Sequence, residues 1–202
     1  MNGQSGFEQT RGASLALLAG GLLMAGLWLV YTNVHGPTSF DETNAVLGRS
    51  TLFWGMLLGG VPNLCIALAL LLGRRQLTGG AGWLARLGYT LTLIGLIVPA
   101  AIDLAIRALG PPFFVPLVGL GLVLLAAGIW RGPLPRSQAG LLLAIGLCQL
   151  AAFALALVPN AIADAWGGYR LYGAGAHLLT GLGWAALGAG HWLVKAPAAV
   201  QP

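Results

Sequence analysis

Apolar residues run along this chain in blocks, and within each block they fill every face of a helix instead of marking one stripe. The blocks cover about 14–32, 50–73, 83–106, 113–130, 138–158 and 171–193. A hydrocarbon layer about 30 Å thick takes roughly 20 apolar residues in helical form, and these blocks meet or approach that length. Turn and charge signals close each block: HGP, GRRQLTGG, GPP, RGPLPR, VPN and KAP, in order. Gly and Pro are the expected breakers at such positions. The pattern therefore predicts an all-α fold, a polytopic transmembrane bundle of six helices. A polar tail at 1–13 precedes a single membrane domain at 14–195, and a short tail at 196–202 follows it. The first apolar block is too long for a signal-peptide core and is expected to stay on the protein. The longest connection, about 33–49, leaves no room for a second domain.

Composition supports that reading. Only 7% of the 202 residues are charged, against about 25% in soluble domains. Thirty-two glycines would suggest flexible chain in water; among Leu, Ala and Val they suggest helices in close contact in lipid. The formal charge of +5 does not point to nucleic acid, because the basic residues stand singly at the ends of the blocks. Their distribution predicts the orientation. With both termini cytoplasmic, Arg11, Arg74, Arg75, Arg86, Arg131, Arg136 and Lys195 fall inside, and only Arg49, Arg107 and Arg170 fall outside. That bias is the positive-inside pattern of a multi-pass protein of the cell membrane. Glu8 lies inside, and Asp41, Glu42, Asp103 and Asp164 lie outside.

Charge at membrane depth is rare and marks candidate chemistry. In VPAAIDLAIRALGPP, Asp103 sits 17 residues beyond Arg86, about 26 Å along a helix, close to the outer edge of the hydrocarbon. Arg107, four residues on, can pair with it at the helix end. Gly95, Pro99 and Asp103 also recur every four residues, a ridge that a neighbouring helix could approach and that would turn the carboxylate inward. In the last block Gly173, His177, Gly181, Ala185 and Ala189 make a second small-residue ridge with a histidine inside it. Candidate catalytic residues are therefore Asp103, His177 and Asp164. Aromatic residues near the outer ends, Trp54, Trp166, Tyr169 and Tyr172, with Trp184 deeper, are the candidate ligand contacts. The other tryptophans read mostly as an interfacial belt. Asn63 and Gln149 read as amides bonded between helices. Cys65 and Cys148 read as small buried apolar residues. His177 and His191 are spaced as the haem histidines of b-type cytochromes are, but no second helix supplies partners, so neither cofactor nor metal is expected.

The stretch GAHLLTGLGWAALGAG resembles the last helix of rhomboid proteases, in which spaced glycines follow a histidine, and six spans would also fit that family. The family's GxSG serine has no counterpart, since the fourth block reads PFFVPLVGLGLVL, so serine-protease chemistry is excluded. As a whole the chain resembles six-span integral membrane proteins of bacteria, a resemblance that implies a scaffold and no activity. Three function classes follow. The first is a non-catalytic protein that binds a lipophilic molecule or serves as a subunit of a membrane complex, with lipids and other membrane subunits as partners. The second is an intramembrane enzyme doing acid–base chemistry, isomerisation or cyclisation, on a prenyl-type lipid at the outer leaflet. The third, a transporter or channel, has only Asn63, Gln149, Thr90, Thr92 and Thr180 to line a path.

Overall fold

The computed structural model describes residues 3–35, 47–106, 114–132, 134–157 and 168–193. Their regular elements are all helices, without strands, joined by short turns. Helix α1 spans Gly3–His35, α2 Thr51–Leu72, α3 Arg74–Thr78, α4 Trp83–Ala101, α5 Phe114–Ile129 and α6 Arg136–Leu157. The last helical stretch, Gly168–Leu193, is made of three pieces: Gly168–Gly173, a π-helical turn at Ala174–Leu179, and Thr180–Leu193. A second π-helical turn, Ile102–Ile106, continues α4. Boundaries follow local chemistry. Ser50 caps α2 by accepting from the Phe53 amide at 3.2 Å, and Gly80, at φ +74°, turns the chain between α3 and α4. Helix α1 begins well before the apolar block that the pattern marks, and α3 is a short helix in a stretch that reads as a loop.

The long helices stand in a closed ring. Each packs on its chain neighbour, α1 on α2, α2 on α4, α4 on α5, α5 on α6, and the last stretch packs on both α6 and α1. Neighbours run antiparallel. Gly12 at the start of α1 faces Leu72 at the end of α2, and Gly20 faces Cys65 and Ile66. All six contribute to one buried core, including Met24, Ile66, Leu96, Leu122, Leu142 and Trp184. The arginine-bearing ends of α2, α4, α5 and α6 therefore lie together, and Trp28, Trp54, Asp103 and Tyr172 lie toward the opposite end.

Glycine sets how closely the helices approach. A Cβ at Gly181 would lie 2.8 Å from both the Gly21 carbonyl oxygen and the Ala25 amide nitrogen, and one at Gly188 would meet Leu18 and Ser14. The ridge read from the sequence is therefore a real contact with α1, except that Gly188 replaces Ala189 at its C-terminal end. Steps of four residues drift by about 40° around an α-helix, so a step of three brings the ridge back into line. A comparable seam joins α4 to α5, where Ala85, Gly88, Thr92 and Gly95 meet Gly128, Leu125, Gly121 and Val118. The Gly95–Pro99–Asp103 ridge is buried along its length, but it serves two neighbours. Gly95 faces α5, and Asp103 faces α2.

Four helices, Arg11–Val30, Leu52–Leu72, Trp83–Ala105 and Arg136–Leu155, are long and apolar enough to cross a membrane, and Phe114–Ile129 is a shorter apolar helix. Outward faces carry Leu22, Leu68 and Leu147 on these helices and Leu179 and Leu182 on the last helical stretch. Apolar surface on every side is not tolerated in water, and the arrangement is consistent with a multi-pass membrane protein. Trp83, 74% exposed, and Trp130 stand at the arginine-bearing end, as interfacial tryptophans do.

Polar side chains within the bundle are mostly tied to backbone. Thr92 donates to the Gly88 carbonyl at 2.8 Å and Thr90 to that of Arg86 at 2.9 Å, each within its own helix. The Tyr89 hydroxyl reaches across to the Leu70 carbonyl at 3.1 Å, near the end of α2 where helical carbonyls lack partners. Gln149 is buried, and its Oε1 finds no partner among the described residues.

Candidate functional site

At the end opposite Arg74, Arg75, Arg86 and Arg136, the end where Arg49 and Arg170 lie, Trp28 of α1 and Trp54 and Leu58 of α2 form a small buried cluster of their own, with Leu27, Leu57 and Leu178 against it. Trp28 is 2% exposed and Trp54 7%, so both belong to the interior and not to an interfacial belt. The Trp28 indole stacks on the His177 imidazole, with ring centroids 5.5 Å apart at 26°. Tyr172 meets the same imidazole edge-on at 6.0 Å and 84°. Gly173 makes this possible, because a Cβ there would overlap the Trp28 ring. His177 Nδ1 is buried and has no hydrogen-bond partner among the described residues.

Asp103 reaches the same end of the bundle through a different neighbour. It is 3% exposed, and Oδ2 sits so close to the Gly59 backbone that a Cβ at Gly59 would collide with it. Asp103 is therefore turned inward against α2; a pair with Arg107 falls outside the described residues. Leu104 occupies the matching space beside Gly60. Asp103 thus meets α2, while His177 meets α1.

Both residues lie in π-helical turns. Such turns insert an extra residue and are frequent at functional sites. Side chains also reach two carbonyls of the second turn, one of which, that of Gly175, accepts the Thr180 amide as well. Thr180 donates to the Ala176 carbonyl at 2.6 Å, and the Cys148 thiol donates to that of Gly175 at 3.6 Å. Cys148 is thus a cross-helix donor as well as a packing residue.

Of the residues that the sequence singles out, Asp103, His177, Trp54 and Tyr172 come to this end. Trp184 does not join them. It is fully buried in the main core, seven residues and about 10 Å further along the helix. Asp164, Trp166, Asp41, Glu42 and Arg107 lie outside the described residues, and Tyr169 is placed in the last helical stretch by its backbone alone. Trp28 and Gly59 are the contributors that the pattern does not single out, and Gly173, read there as a packing residue, is the one that makes room for Trp28. A signal for Trp28 exists, since Gly21, Ala25 and Trp28 share one face of α1 at i, i+4 and i+7. Among the described residues no three His, Cys, Asp or Glu side chains come together.

The arrangement offers an imidazole nitrogen free to accept or donate a hydrogen bond, two aromatic walls around it, and a buried carboxylate in the neighbouring helical crevice. It can grip the polar end of an otherwise apolar molecule, and its acid and base could move protons. No family model matches the chain, and no curated protein and no solved structure is similar to it.

Proposed function

We propose that this chain crosses the membrane six times with both termini in the cytoplasm and binds a lipophilic molecule at the outer end of the bundle. One observation carries the binding site: the His177 imidazole, held between Trp28 and Tyr172 with a buried Nδ1 that no described residue satisfies. A buried polar atom without a partner costs about 1–3 kcal/mol, which a ligand hydroxyl would offset. The aromatic faces suit the unsaturated chain of a prenyl-type molecule. Lysine and arginine placement supports the orientation.

A photoreactive prenyl alcohol added to the purified protein tests this reading. Label should concentrate at Trp28, Trp54 and Tyr172. His177→Leu should lower labelling about fivefold, the equivalent of one lost buried hydrogen bond, while Leu68→Ala on the outward face leaves it unchanged. Label spread evenly over the lipid-facing leucines would remove the site.

A second reading has an observation of its own, the placement of both Asp103 and His177 in π-helical turns. An acid and a base at one end of an apolar bundle could isomerise or cyclise such a lipid. Asp103→Asn keeps the shape and removes the acid. Under this reading it abolishes turnover of the prenyl alcohol while labelling persists; turnover unaffected by Asp103→Asn would dismiss it.

A further inference from the structure

The arginine-bearing end holds a second feature, unrelated to the cluster around His177. A cleft with about 40 Å³ of free space opens between α1, α2, α3, α6 and the last helical stretch. Its walls are largely apolar, with Leu17, Leu70, Leu142 and Leu187 among them, and Ser14, Gln76 and Gln138 supply the polar lining. Gln138 Oε1 is buried and finds no hydrogen-bond partner among the described residues. That acceptor is the second observation, and it calls for a donor. The space is enough for two or three water-sized groups, so a slender hydroxylated fragment fits and a whole lipid headgroup does not.

Cations frame the same opening. Arg74 and Arg75 lie in the chain between the lining residues Gly73 and Gln76, and Arg136 lies between the lining residues Leu134 and Gln138. All three are exposed. Asp103 is placed at the other end, and by sequence Glu8 is the one acid of the chain's five that falls on this side. A ligand that suits this end therefore carries an anion for the rim and a hydroxyl for the cleft. We propose that the cleft binds a phosphate-bearing lipid whose headgroup ends in free hydroxyls, of the phosphatidylglycerol type. The phosphate sits on the arginines, since guanidinium pairs well with phosphate oxygens. The terminal glycerol hydroxyl enters the cleft beside Gln138, whose carboxamide turns to bring the buried Oε1 to it as acceptor, and the acyl chains remain on the apolar outer surface.

Native mass spectrometry of the full chain, released from micelles doped with a single lipid, tests each part. The probes are dioleoyl phosphatidylglycerol, dioleoyl phosphatidic acid, dioleoyl phosphatidylcholine and free glycerol 1-phosphate. Phosphatidylglycerol should bind most tightly, phosphatidic acid less, and phosphatidylcholine and glycerol 1-phosphate least. Gln138→Met should reduce phosphatidylglycerol binding about fivefold, to the level of phosphatidic acid, and leave phosphatidic acid unchanged. Arg75→Gln and Arg136→Gln should weaken both anionic lipids. These two positions are exposed, so they keep the test sound if Gln138→Met fails to accumulate. Equal binding of phosphatidylglycerol and phosphatidylcholine overturns the proposal. So does tight binding of glycerol 1-phosphate, which would make the site one for a soluble phosphate ester, and so does a Gln138→Met protein that still prefers phosphatidylglycerol.

Discussion

At Gly59 and Asp103 a missing side chain and a buried carboxylate occupy the same space. The pair is a lock between α2 and the π-helical turn after α4, and it can be measured as one. Gly59→Ala forces the carboxylate out of its notch. Overpacking of this kind costs about 1–3 kcal/mol, so the variant should melt at lower temperature in detergent. In an Asp103→Ala background the added methyl has room, and the same change should cost much less. Contacting residues show coupling of about 0.5–3 kcal/mol in such a cycle. Additive losses would mean that the two positions do not share the space. Gly173 and Trp28 form a similar pair at the last helical stretch, where the ring lies where a Cβ would be.

Between whole helices, α1 and the last stretch meet backbone to backbone, as α4 and α5 do. Gly21→Leu places a side chain against the Gly181 carbonyl and the Ala185 backbone, neither of which can step aside as a side-chain tip would. Gly26, five residues further along the same helix, meets nothing within 4 Å. Gly21→Leu should therefore lower thermal stability by about 1–3 kcal/mol or more, and Gly26→Leu should change it little. The two share one helix and one substitution, so helix propensity cancels. Equal melting temperatures would place the contact elsewhere. A loop glycine is a poorer control than it looks from the pattern. A Cβ at Gly79 would collide with the Arg75 carbonyl, because the chain folds back there at the end of α3.

For the molecule as a whole the expected outcome concerns sidedness. Reporters fused after Lys195 and within 74–80 should read cytoplasmic, and one within 36–45 should read external. The lysine and arginine bias carries that expectation, and the antiparallel ring is compatible with it, since the arginine-bearing ends of α2, α4, α5 and α6 gather on one side. An external reading at 74–80 would reverse the orientation and with it the leaflet assigned to each site.

The sequence by itself determines that this chain is helical, that its long helices carry apolar residues on all faces, and roughly where most of them lie, though not the early start of α1 or the short α3. Lipid leaves backbone groups no partner but each other, so length and hydropathy alone settle the element type. It also marks Asp103 and His177, because polar residues stand out against so apolar a background. It cannot determine which way they face. An α-helix that is apolar all round has no stripe to orient it, and the π-helical turns at 102–106 and 174–179 shift the register in a way that fixed spacing does not anticipate. The tertiary structure decided those matters. It turned Asp103 onto Gly59, set Trp28 over His177 in the space that Gly173 leaves, and sent Trp184 to the core, away from the other aromatic candidates. Each choice rests on where one helix leaves room for a side chain or backbone of another, and that is a property of pairs of helices, absent from any one of them.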